Sequence, residues 1–190
     1  MIYKDVYKEC PVFEDSFFML RPVKDEDAAD LLLVYSDEKA VPFFNSDNCH
    51  GDDFHYTAIE RMQQALEFWK QSYQNGWFVR WAAVDKKTQK AIGTIELFRR
   101  EADDYFTDCG LLRLDVRSDY ETAEKISRIV QLILRPAFEL FSCSKIAAKA
   151  VPSAQERIAA LKSLGFSASP ETLVGHDGTL YKDYFVLFRS

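Results

Sequence analysis

One segment limits the fold more than any other. From about Ser118 to Phe141, the positions Ile126, Ile129, Val130, Ile133, Leu134, Ala137, Phe138 and Phe141 recur at i, i+3 and i+4. That spacing gathers them on one face of an α-helix. A stripe this wide needs an apolar layer to cover it, so the chain must supply a second layer of structure. Pro136 lies inside the stripe and predicts a kink.

The rest of the chain supplies that layer as strands. Phe17 to Arg21 reads as a first strand ended by Pro22. Asp25-Glu26-Asp27 opens a short helix with Leu31, Leu32 and Tyr35 on one side, its acids at the positive end of the helix dipole and in water. A loop rich in Asp, Asn and Phe follows, from Asp37 to His55. Thr57-Ala-Ile-Glu60 reads as a capping box before a helix carrying Ile59, Met62, Leu66, Trp69 and Tyr73, and Asn75-Gly76 stops that helix. Three strands follow at Arg80 to Asp85, Ala91 to Phe98 and Thr107 to Val116, the first two joined by the hairpin loop 86–90. After the striped helix, Ile146 to Val151 is a short strand. Ser153-Ala-Gln-Glu156 reads as a second capping box, for a helix with Ile158, Leu161 and Leu164 inward and Gly165 as its left-handed cap. Phe166 to Val174 and Leu180 to Phe188 form a last pair of strands around Gly175-His-Asp-Gly178. This order is neither a doubly wound repeat nor a sandwich. It predicts an α/β fold, a mixed sheet of about seven strands with helices on both faces, as one domain over residues 1–190.

Composition excludes several classes. The chain has 190 residues, 47% hydrophobic and 28% charged, which fits one globular domain. Twenty-four Lys and Arg against 30 Asp and Glu give a net charge of −6, which argues against a nucleic-acid or anionic-membrane surface. No apolar run approaches the roughly 20 residues that span a bilayer, and the start of the chain has no signal-like pattern. Cys10, Cys49, Cys109 and Cys143 form no C-x-x-C pair, so a cytoplasmic protein with reduced thiols is expected, with Cys109 and Cys143 as core filler. Cys49-His50 with Asp52, Asp53 and His55 lacks a zinc spacing and reads as a solvated loop. Trp69, Tyr73, Trp77 and Trp81 read as core, with a pocket lining as the alternative.

Three stretches in this order resemble the GNAT superfamily of acyl-CoA-dependent N-acyltransferases, most of all its ribosomal-protein N-terminal acetyltransferase branch. Leu20-Arg21-Pro22 with Asp25-Glu26-Asp27 is similar to that branch's opening. Ala91-Ile-Gly-Thr-Ile-Glu-Leu97 is similar to its third strand, and Ile158-Ala-Ala-Leu-Lys-Ser-Leu-Gly-Phe166 to its last helix. The resemblance implies acetyl transfer from acetyl-CoA, as co-substrate, to a primary amine such as a protein N-terminus or a small amine. It implies that Thr107–Val116 splays from Ile146–Val151, that pantetheine pairs with backbone near Leu114 and Val116, and that the diphosphate sits on the N-terminus of the next helix. Arg117, Thr122, Ala123, Glu124 and Lys125 then surround the diphosphate. Glu96 becomes a candidate general base, its alternative being a solvated or salt-bridged strand residue, and Asp108 a candidate facing the amine. Asp115 shares a strand face with Arg113 and reads as a member of a cross-strand ion pair, whereas Arg117 has the diphosphate or Asp119 and Glu121 as partners. Domains of this type often pair through their last strands, so a monomer or a homodimer through Tyr181 to Phe188 is expected.

The chain departs from that family at its diphosphate loop, which reads Q/R-x-x-G-x-G/A. Here Glu121, Glu124 and Ile126 stand at the three defining positions. Glycine there lets backbone approach phosphate, whereas a carboxylate repels it. Ser118-Asp-Tyr-Glu121 reads as a third capping box that would occupy the same N–H groups. Ala154 also replaces an Asn common near the start of the last helix. These departures imply a second possibility, a degenerate member that keeps the fold and acts as a ligand-binding or interaction module.

Overall fold

The computed structural model describes residues 5–189. In chain order the elements are β1 (Phe13–Glu14), β2 (Phe18–Pro22), α1 (Ala28–Tyr35), α2 (Ile59–Gln74), β3 (Val79–Asp85), β4 (Lys90–Arg100) and β5 (Cys109–Val116). There follow α3 (Ala123–Leu140), β6 (Lys145–Lys149), α4 (Gln155–Ser163), β7 (Ser167–Ala168), β8 (Leu173–Val174), β9 (Leu180–Tyr181) and β10 (Tyr184–Phe188). Eight strands make one sheet in the order β1-β2-β3-β4-β5-β6-β10-β7, and β8 with β9 form a separate hairpin. The β5–β6 pair is parallel and the rest of the large sheet is antiparallel. No helix among the described residues is long and apolar enough to cross a membrane.

The two faces of the sheet do different work. On one face, the α3 stripe packs with Trp81, Ile95, Leu97 and Leu114, and α4 adds Ala160 and Leu161. On the other, Leu31, Val34 and Tyr35 of α1 and Met62, Leu66 and Trp69 of α2 cover Ala82, Val84 and Ala91. Alternation along the central strands sends Arg80, Thr94, Glu96 and Asp115 to that second face, where all four are buried. The helix runs on through Pro136.

Local readings fail where a distant partner is stronger. None of the three expected capping boxes forms. The α2 N-cap is Ala58 and the α4 N-cap is Ala154, neither with a side-chain cap bond. Ser118 lies in a 3-10 turn, the chain bends at Glu121, and α3 begins at Ala123 with Thr122 as its cap. Asp27 is not in water: it is 4% exposed and takes both Arg21 Nη groups at 2.8 and 2.6 Å. The expected last pair of strands is four short ones, and β10 lies between β6 and β7 rather than at the sheet edge. Trp77 is exposed, not core.

Gly93 is the one glycine that the sheet itself demands. A Cβ there would stand 2.2 Å from the Asp115 carbonyl oxygen and 2.9 Å from Val116 Cα. Gly93→Ala should therefore separate β4 from β5 and lower stability by about 1–3 kcal/mol. Urea denaturation reads this directly, and an unchanged midpoint would contradict the close approach.

Candidate active site

The site is built where β5 and β6 stop pairing. Their parallel register runs Cys109↔Lys145 to Leu112↔Ala148 and ends there. Beyond it, Leu114 to Val116 and Ala150 to Val151 run apart, as the expected splay requires. Backbone groups released this way need other partners.

The chain's own side chains provide them. Arg157, on α4, reaches into the gap and is 3% exposed. Its Nη1 donates to the carbonyls of Leu114 and Phe43, both at 2.8 Å. Its Nε and Nη2 donate to the two Glu121 oxygens at 2.8 and 2.7 Å. On the other side of the gap, Asp47 bridges the parted strands. Lys149 Nζ donates to its carboxylate at 2.6 and 2.7 Å, and Arg113 Nη2 donates to its carbonyl at 2.8 Å. Tyr184 Oη also donates to Asp47, at 3.0 Å, and burial with that carboxylate pushes the phenol well up. Between these bridges a cavity of about 10 Å³ remains, bounded by Leu112, Leu114, Ala148 and Arg157 among others. That holds at most one water molecule.

The residues expected around a diphosphate are engaged in the same way. Glu156 Oε2 accepts the Ala123 amide at 2.7 Å, and Thr122 Oγ1 accepts the Lys125 amide at 3.5 Å. Arg117 holds Asp119 at 2.6 and 2.8 Å. Lys125 Nζ donates to the Asp119 carbonyl and lies 4.5 Å from the Tyr120 ring centroid. Glu124 is exposed and pairs with Arg128 at 3.7 Å. In this arrangement the carbonyl of Leu114 and the first amide of α3 are already bonded.

A second site lies on the α1–α2 face. A cavity of about 500 Å³ opens over Arg80, Glu96 and Arg113, walled by Phe54, Trp69, Trp77, Phe78 and Phe98, with His50 and His176 among its lining residues. Phe54 holds φ +60°, a costly conformation for a bulky residue, and Asp52 fixes it by accepting its amide at 2.9 Å. Arg80 lies against the Trp69 ring, 4.3 Å from its centroid.

Glu96 belongs to this floor. Its Oε2 accepts from Arg80 Nε and Nη2 at 3.1 and 2.5 Å, and its Oε1 accepts from Arg113 Nη1 at 2.7 Å. It is salt-bridged and 1% exposed, not solvated. Burial raises its pKa, but Arg80 and Arg113 outweigh that and hold the carboxyl below its ordinary value. Asp115 pairs with Arg80 at 3.0 Å, the cross-strand ion pair expected of it, and Arg113 pairs across to Glu96. Burial pushes the Asp115 carboxyl up against the pull of Arg80. Asp108 is placed elsewhere. It sits before β5, at the end still paired with β6, forms an ion pair with Arg99 at 2.8 Å, and is not among the residues lining the cavity.

The sequence reading missed Arg157, Asp47 and Glu156. A signal for Arg157 was present: Arg157, Ala160, Leu161 and Leu164 recur at i, i+3, i+4 and i+7, so the buried face of α4 carries a cation. No comparable pattern marks Asp47 or Glu156.

The chain belongs to the GNAT acetyltransferase domain family, whose model matches residues 18–167. It shares its fold with the ribosomal-protein-S5-alanine acetyltransferase of Vibrio fischeri, at 18% identity and TM-score 0.67, over 93% of this chain and 94% of that one. Mycobacterium smegmatis RimJ, solved with a CoA disulfide, matches at 16% identity and TM-score 0.66, over 89% and 79% of the two chains. RimL, a ribosomal L7/L12 alpha-N-protein acetyltransferase solved with coenzyme A, matches at 10% identity and TM-score 0.69, over 94% and 98%. No curated protein matches.

Glu96→Gln removes the one carboxylate between two buried guanidinium groups and should cost about 3–5 kcal/mol of stability near neutral pH. Because the folded-state pKa of Glu96 is depressed, its contribution is present above the ordinary value of 4.5 and lost as pH falls through the lower folded value. Urea midpoints across that acid window should fall more steeply for the wild-type chain than for Glu96→Gln. Parallel curves would remove Glu96 as a stabilising carboxylate.

Proposed function

We propose that this chain is a GNAT-family protein whose acyl-CoA groove has become a structural joint, and that it works as a ligand-binding module through the cavity over Arg80. The observation that carries this reading is Arg157. It occupies the parting of β5 and β6, bonds the Leu114 carbonyl, and is itself held by a buried Glu121. The two hydrogen bonds of its Nη1, to the Leu114 and Phe43 carbonyls, would have to break before an acyl-CoA arm paired with that strand, at about 1.5–3 kcal/mol each before any replacement. The Lys149–Asp47 bridge adds to the same barrier.

Acetyl transfer is the second reading, and one observation favours it: the strands still part after Leu112 and Ala148, inside the family match. On that reading acetyl-CoA is the co-substrate and a protein N-terminus or small amine the acceptor. Leu114, Val116, Arg117, Thr122, Ala123, Glu124 and Lys125 then surround the CoA, and Glu96 and Asp108 serve the amine. It requires Arg157 and Asp47 to leave the gap together.

Calorimetric titration with CoA and acetyl-CoA separates the two. The expected result is no binding up to about 1 mM, for the wild-type chain and for Glu124→Gly alike, because Glu156 and Thr122 still hold the first amides of α3. A micromolar Kd for either ligand would overturn the closed groove.

A further inference from the structure

The polar inventory of the large cavity is lopsided in what it leaves spare. Three guanidinium groups line it, Arg61, Arg80 and Arg113, with two carboxylates, Asp52 and Glu96, and a third, Asp115, held on Arg80 beneath the floor. Both lining carboxylates are already engaged on both oxygens. Glu96 takes Arg80 and Arg113. Asp52 Oδ1 accepts the Phe54 amide, and its Oδ2 accepts Tyr56 Oη at 2.8 Å and Arg61 Nη2 at 2.5 Å. An ammonium ligand would find no carboxylate to itself.

The donors are in the opposite state. Arg61 uses one nitrogen, and its Nε and Nη1 make no hydrogen bond among the described residues. Arg113 Nε is shut off from water with no partner, a costly condition for a charged group's donor. Trp77, at the mouth, is 59% exposed, unusual for an indole in a chain with a well-filled core. The walls are aromatic and the volume suits a small ligand.

We infer that the cavity binds a small carboxylate with an aromatic body, its ring among Trp69, Trp77 and Phe98 and its carboxylate against the guanidinium of Arg61, with Arg113 as the second cation on the wall. This rests on the ligand-binding reading above. Spare donors without a spare acceptor are the reverse of what an amine acceptor needs, so the ligand class and the enzyme reading make opposite demands on the same cavity. Arg61 is the residue that sets the sign preference, because its side chain is 42% exposed and keeps donors to spare.

The test uses the full chain and matched probes: phenylacetate with benzylamine, and indoleacetate with tryptamine, followed by calorimetry and by ligand-observed NMR. The acids are expected to bind at least about tenfold tighter than their amines. Arg61→Gln should weaken the acids by about tenfold and, by releasing Asp52 Oδ2, should leave the amines no weaker. Trp77→Ala should weaken the two acids without altering the melting temperature, since the indole is largely in solvent. Amines that bind as well as the acids, or no binding of any probe up to about 10 mM, would overturn the inference. Acetyl-CoA in the same series reports on the underlying reading separately. If it stays silent while the amines win, only the ligand class fails; if it binds, the closed groove fails and takes this inference with it.

Discussion

Where β5 and β6 part, hydrogen-bonding backbone is released in the middle of a folded domain, and something must satisfy it. That constraint organises the rest of the molecule. Arg157 answers it from α4 at the Leu114 carbonyl, and Asp47, from the loop before α2, ties together the side chains of the two parted strands. Each answer draws in further residues. Arg157 requires Glu121, which pulls the chain into a bend and delays α3 until Ala123. Asp47 requires Lys149 and Tyr184, which fasten the loop over the sheet and so define one side of the large cavity.

The cavity floor obeys a second constraint. Arg80 is wholly buried, and a buried guanidinium is tolerable only with full compensation. Glu96, Asp115, Tyr35 and Thr94 all turn toward it, and Trp69 covers its face. The result is a rigid charged floor in which Glu96 is a counter-ion to two arginines. A carboxylate held that way, with its pKa pulled down, is a poor proton acceptor. Its placement at the centre of the sheet therefore reflects structure at least as much as chemistry.

Much of the fold was legible because it rests on periodicity. The α3 stripe, the three central strands and the hairpin at 86–90 appear where the sequence pattern sets them, within a few residues at the ends. The capping boxes were not reliable guides, because Glu121 and Glu156 have better partners elsewhere in the fold than their own helix ends. The site was legible only in outline. The substitutions at 121, 124 and 126 marked the groove as altered, but the reason is Arg157, some 36 residues further along the chain from Glu121. Asp108 shows the opposite limit: a strand-entry acid resembles a site residue in sequence, yet it sits at the far end of β5. The surplus of acids near α3 is likewise not one patch in water, since Glu121 is buried against Arg157 and Asp119 is clasped by Arg117.

The most direct measurement on the closed groove is amide chemical-shift mapping of the nitrogen-labelled chain with CoA added at millimolar concentration. The amides of Ala123, Lys125 and Val116 should keep their positions. Shifts concentrated on those three, with the Arg157 side-chain resonances moving together with them, would contradict a groove closed from within.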